Sequence, residues 1–162
     1  MYIIYFFGVA DREPFMGDPN PEAEVRRQAF AAASPIDEAM IHTLVHAFYE
    51  KIRTDPALGP IFNRVIAEEN WPPHLAKMCD FWSSVTLMSG RFKGSPMQAH
   101  IRIGDLRPTH FARWLHLFEE TAREVCPPEA AAIFIEKSQM IARSLQMGLH
   151  LACGEFEDAV AS

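Results

Sequence analysis

Hydrophobic positions in this chain recur every three to four residues through four long stretches, and no stretch alternates as a strand would. The first stretch follows SPIDE, where Ser34 reads as an N-cap, Pro35 as the first helical residue, and Asp37 and Glu38 as first-turn acids. Its apolar face is Ile41, Leu44, Val45, Phe48 and Ile52. DPALGP breaks the pattern after it, and a short PIF turn (Pro60 to Phe62) follows. A second long helix is predicted from near Asn70 to Gly90, with Pro72 and Pro73 tolerated in its first turn. Leu75, Met78, Phe81, Trp82 and Val85 form its inward face.

A glycine-bearing loop leads to GSPMQAHIRIG, where Ser95 as N-cap, Pro96 at the first helical position and Gly104 as stop bracket a very short helix. So few apolar residues give it little reason to exist as core. It makes sense as a platform for one imidazole, His100. The third long helix starts at Pro108 and turns Phe111, Trp114, Leu115, Phe118, Ala122 and Val125 inward. Pro127 and Pro128 end it and open the fourth, which runs to Gly154 on Phe134, Ile141, Leu145 and Leu149. The expected fold is all-α, four long helices and two short ones, with no internal repeat.

At 162 residues and 18.3 kDa a single domain is expected. A net charge of −6 and no Lys/Arg cluster argue against nucleic acid as a partner. The N-terminal MYIIYFFGVA is too short to span a bilayer and lacks a preceding basic residue, so neither a membrane anchor nor a signal peptide is expected. DREPFMGDPNPEAE after it reads as loop or disorder, and Met16 offers an alternative start. Residues 1–35 are therefore expected to be a disordered or loosely packed extension, 36–153 the folded domain and 154–162 a tail. Cys79, Cys126 and Cys153 are odd in number and far apart, which suggests free thiols in a reducing, cytoplasmic setting. No Ser-His-Asp order, phosphate loop, H-E-x-x-H, flavin or nicotinamide motif is present.

The combination of FYEKI (Phe48 to Ile52), PIF, WPPHLAKM (Trp71 to Met78), FWSS (Phe81 to Ser84), PMQAH (Pro96 to His100) and HFARWLHLF (His110 to Phe118) resembles the group III truncated haemoglobins. The likeness covers about residues 36–153. It implies the family's truncated globin fold, a two-over-two helical sandwich, and a bound haem b. Without a C-x-x-C-H pair that haem would be noncovalent. His100 matches the proximal histidine that ligates iron. Tyr49, His74 and Trp114 match the distal residues around a bound gas. Phe62 matches the aromatic that stacks on the haem, and Met78, Phe81, Trp82, Met97 and Ile141 are candidate wall residues. Each also has an ordinary reading: Tyr49 as a half-buried phenol, Trp114 as core, His74 and His100 as surface histidines. Lys77, Arg91 and Arg102 are candidate partners of the haem propionates.

Mild departures accompany the match: Phe92 stands where a tyrosine is frequent, Pro72 and Pro73 precede His74, and glycine pairs typical of other truncated groups are missing. His42 and His46, four apart, form a weak candidate metal clamp. His110, His116 and His150 read as surface or helix-end residues. The resemblance implies O2, NO and CO as ligands and redox or detoxification chemistry with an unidentified reductase. The alternatives are a haem-dependent NO dioxygenase or peroxidase-like enzyme, and, in another class, a haem-free helical interaction or sensor module.

Overall fold

The computed structural model describes residues 20–160, with side chains through residue 152. The readings of residues 1–19, of the last two residues and of the Cys153 side chain lie outside the described residues. Seven helices follow in order: α1 Pro21–Ala33, α2 Glu38–Thr54, α3 Gly59–Val65, α4 Trp71–Leu87, α5 Pro96–Ile103, α6 Pro108–Val125 and α7 Pro128–Val160. A single 3-10 turn, Glu68–Asn70, precedes α4. No described helix is long and apolar enough to cross a membrane.

Helix α1 is a departure from the loop expected over PEAE. Asn20 accepts from the Glu22 N–H, Pro21 takes the first helical position, and Glu22 and Glu24 sit in the first turn. Those are the N-terminal signals used elsewhere in the chain, here on a helix that buries none of its residues. Ser34 closes α1 and does not open α2: its hydroxyl accepts from the Ile36 N–H, and Asp37 caps α2 through the Met40 N–H at 2.8 Å. The other predicted starts hold. Ser95 caps α5, Pro108 opens α6, and Gly104 ends α5 with φ of 80°.

Two layers make the body of the fold. Helices α2 and α4 pack on each other, as do α6 and α7, while α2 lies against α6 and α4 against α7. This is the two-over-two arrangement. Phe48, Phe118, Phe134, Ile41, Leu44 and Ile52 are fully buried between the layers. Phe118 is stacked on both Trp82 (ring centroids 4.8 Å apart) and Trp114 (5.2 Å), and Phe48 meets it edge-on at 5.1 Å. Buried hydroxyls are satisfied one turn back, Thr86 on the Trp82 carbonyl and Thr121 on the Leu117 carbonyl.

Two local devices set the start of α3. Gly59 sits against the end of α2, where an added Cβ would lie 2.7 Å from the Arg53 carbonyl oxygen, so only glycine allows this approach. Asp55, 6 % exposed, takes the Ala57 and Leu58 N–H groups on Oδ1 at 3.0 Å. Its Oδ2 takes the Arg113 guanidinium of α6 at 2.7–2.8 Å. Burial opposes ionisation here, but Arg113 and the two N–H groups outweigh it and hold the Asp55 carboxyl below the usual carboxylate range. A carboxyl lowered in the fold stabilises above its unfolded pKa and loses that contribution as pH falls.

Asp55→Ala is therefore expected to lower unfolding free energy by about 2 kcal/mol at neutral pH, since two N–H donors and one guanidinium lose their acceptor. The difference from wild type should shrink as pH drops below about 4. Urea unfolding of both chains across pH checks it; a difference that stays constant with pH contradicts the ionised clamp.

Candidate functional site

A cavity of about 300 Å³ opens between the layers, walled by residues of α2 to α7 and overwhelmingly apolar. Its polar groups are few and specific, the pattern of a small-molecule or cofactor site. Each wall has a local reason. On α2, Tyr49 follows the core residue Phe48, so helical spacing turns it from the centre of the core toward the cavity at 6 % exposure. Burial alone pushes its phenol far above the usual tyrosine value, so the hydroxyl stays protonated and is a donor. Around Tyr49 stand Phe62 at 6.0 Å, Trp71 at 6.0 Å and His74 at 5.2 Å, an aromatic box whose rings meet edge-on or tilted.

His74 reaches this box because α4 begins at Trp71 with prolines in the first turn, as tolerated there. Trp71 is itself pinned under the Arg53 guanidinium, 4.7 Å from its ring. Burial, then the charge of Lys77, lower the His74 pKa, so the imidazole is neutral at pH 7. Its Nε2 is buried without a hydrogen-bond partner. An unpaired buried polar atom in a cavity wall marks a place where a partner atom would fit.

His100 projects from α5 into the same cavity, its ring stacked with Phe111 at 6.3 Å. Its Nδ1 lies 2.7 Å from the Pro96 carbonyl oxygen. A carbonyl only accepts, so Nδ1 carries the proton and Nε2 keeps a free lone pair. Burial, which outweighs the Pro96 bond, lowers its pKa and keeps that ring neutral. A histidine with one ring nitrogen donating to a backbone carbonyl and the other free has the arrangement metal-bound histidines use. Trp114, on α6, packs edge-on to Phe48 at 5.2 Å and lines the cavity as well as the core.

The structure thus gathers Tyr49, His74, Trp114, His100, Phe62, Met78, Phe81, Trp82 and Ile141 around one cavity. Met97 is not in that wall. It packs with Phe111, Ala142 and Leu145 between α5 and α7. Of the candidate propionate partners, Lys77 lines the cavity with its ammonium 5.8 Å from the Phe92 ring. Arg91 is spoken for: Glu38 takes it with both oxygens and Asp80 takes its Nε, all at 2.8 Å. Arg102 is exposed outside the wall.

Sequence reading missed Leu106, His110 and Phe111 as wall residues. Phe111 was legible, lying one turn before Trp114 on the same helical face. His110 was placed correctly at a helix end, where its Nδ1 accepts from the Arg107 N–H at 3.1 Å, yet it also borders the cavity. Leu106, in a loop, carried no signal. His42 and His46 stack on each other at 4.0 Å away from the cavity. Among the described residues no three His, Cys, Asp or Glu side chains group as metal ligands.

No family model matches the chain. It is 37% identical over 117 residues to the group 3 truncated hemoglobin ctb of Campylobacter jejuni, covering 71% of this chain and 92% of that protein. The crystal structure of group III truncated hemoglobin from Campylobacter jejuni has a TM-score of 0.67 to it at 37% identity, covering 70% of this chain and 91% of that one. Identity at that level across nearly the whole of a relative, on the same two-layer helical fold, settles the family: the chain belongs to the group III truncated haemoglobins.

Proposed function

We propose that the chain binds haem b noncovalently through the His100 Nε2 and holds a diatomic ligand beside Tyr49, Trp114 and His74. The observation that carries this reading is the His100 ring, neutral, committed by Nδ1 to the Pro96 carbonyl and facing a cavity in whose wall the His74 Nε2 is buried without a protein partner. Phe62, Met78, Phe81, Trp82 and Ile141 supply walls that suit a flat apolar macrocycle. Lys77 is the cation at that wall for a haem carboxylate, since Arg91 is engaged by Glu38 and Asp80. Haem held there would supply what the side chains lack, an iron able to bind O2, NO or CO.

The side chains then decide how long a gas stays and in what state. Tyr49 keeps its proton and donates, Trp114 can only donate, and neutral His74 can donate or accept. Their surroundings are apolar and aromatic, which strengthens each bond relative to bulk water. Donors of this kind favour a polar ligand over carbon monoxide and slow its release. That supports redox or detoxification chemistry on a retained ligand over bulk transport. Sustained turnover would draw electrons from a separate reductase.

His100→Ala should abolish stable haem uptake, because no other cavity histidine pairs a donating Nδ1 with a free Nε2 lone pair: His110 accepts at Nδ1 from the Arg107 N–H, which puts its proton on Nε2. Absorption spectra and haem stoichiometry of purified wild type and variant test this. A wild-type protein that takes up no haem overturns the reading in favour of a haem-free module; a variant with full stoichiometry and an unchanged ferrous spectrum overturns the assignment of His100.

Tyr49→Phe should speed O2 release roughly ten- to a hundredfold if its hydrogen bond contributes about 1.4–3 kcal/mol. Carbon monoxide release should change much less. Trp114→Phe should act in the same direction, and the double variant should be non-additive because the donors share an acceptor. Stopped-flow ligand displacement measures all three; O2 release within about twofold of wild type in Tyr49→Phe would exclude the polar-pocket mechanism.

A further inference from the structure

Helix α5 carries His100, yet none of its residues is buried, and the long helix it chiefly packs on is α7. A platform that must hold one imidazole in register therefore depends on half-buried contacts. The contact it does have is specific. Met97, one turn before His100, reaches across to α7, and the side chain ends over Gly148. A Cβ built at position 148 would stand 2.1 Å from the Met97 Cε and 2.7 Å from its Sδ. The missing side chain at 148 is the seat for the methionine tip.

Gly148 also stands inside a 33-residue helix, where alanine would suit the backbone better. It is not at a turn, and it is not among the glycines with positive φ. Backbone freedom does not explain it; the space above it does. Met97 continues from this seat into the cluster of Phe111, Ala142 and Leu145. Phe111 in turn is the ring stacked with His100. Seat, methionine and stacked ring thus form one contact chain from α7 to the imidazole.

We infer that Gly148 and Met97 are positioning residues for His100: the notch at 148 seats Met97 and thereby sets where α5 presents the imidazole. This rests on the reading of His100 as the haem ligand. Gly148→Ala fills the notch. Because the atoms in the way are the flexible end of a methionine, the fold absorbs the change by swinging Met97 out, and α5 loses its anchor.

Two readouts on the full chain separate this from a purely structural role. Thermal unfolding of Gly148→Ala should occur at or above the wild-type temperature, since alanine favours the helix. Haem transfer to excess apomyoglobin should nonetheless be about tenfold faster, the scale on which disturbed support of a metal-ligating histidine reduces metal retention. Met97→Ala should accelerate transfer similarly, and the double variant should add little, because both substitutions remove one contact. Haem transfer at or below the wild-type rate in Gly148→Ala overturns the inference, as does full additivity in the double variant. The nitrogen-15 spectrum of the haem-free chain keeps the test independent of haem. The His100 imidazole signal should shift or broaden in Gly148→Ala while that of exposed His116 stays in place; an unmoved His100 signal overturns the positioning role. Failure of wild-type haem uptake would instead overturn the proposed function.

Discussion

One stack of aromatic rings holds this molecule in shape. Phe118 of α6 lies face to face with Trp82 of α4 and with Trp114 of its own helix, and Phe48 of α2 closes on it edge-on. Trp82 passes the contact to Phe134 of α7 at 5.7 Å. All four long helices meet in that cluster. Each such pair is worth about 0.5–1.5 kcal/mol beyond its area burial, and the orientation is specific where aliphatic packing is not. The cavity inherits this rigidity, because Trp82 and Trp114 face the core on one side and the cavity on the other. A change that loosened the stack would move the wall.

Polar contacts refine what the stack sets. Lys51 joins Glu120 and Glu124 across α2 and α6, and Arg91 joins Glu38 to Asp80. These pairs are substantially exposed and each contributes little to stability. Their consequence lies in placement: Arg91, once clamped, is withdrawn from the cavity, and Lys77 is left to face it. Asp55 differs in kind. Its carboxylate is buried and joins the end of the Tyr49 helix, the turn into the Phe62 helix and the Trp114 helix at one point. Three walls of the cavity are tied by a single side chain.

The chemistry of the cavity follows from groups the fold leaves unsatisfied. His74 Nε2 and Trp71 Nε1 are buried without partners, and their rings touch at 5.7 Å. Native interiors keep few such atoms, since each costs free energy until something pairs with it. Tyr49 adds a protonated phenol, because burial among rings raises its pKa. Tyr49 and Trp114 bring O–H and N–H donors to the cavity wall, while the His100 ring on α5 keeps a lone pair on Nε2.

Most of the architecture was legible in the chain, because helices announce themselves locally. Spacing of three and four, Pro at N1 positions and the Ser95 and Gly104 brackets located α4, α5 and α6 and the turns between them. Where two adjacent signals competed, local reading chose wrongly: Ser34 and Asp37 both cap well, and only the packing of Ile36 into the core assigned the cap of α2 to Asp37. Asn20 and Pro21 carried the signals of α1, but their composition matched a loop just as well. The motif residues Tyr49, His74, His100 and Trp114 were named from the chain, and the fold alone placed them around one cavity. Distances between elements are what sequence lacks. It could not show that Met97 leans on Gly148, that Arg91 is engaged while Lys77 is not, or that Phe111 stacks with His100. Each depends on which helix faces which, and that is decided by the burial of the aromatic stack as a whole.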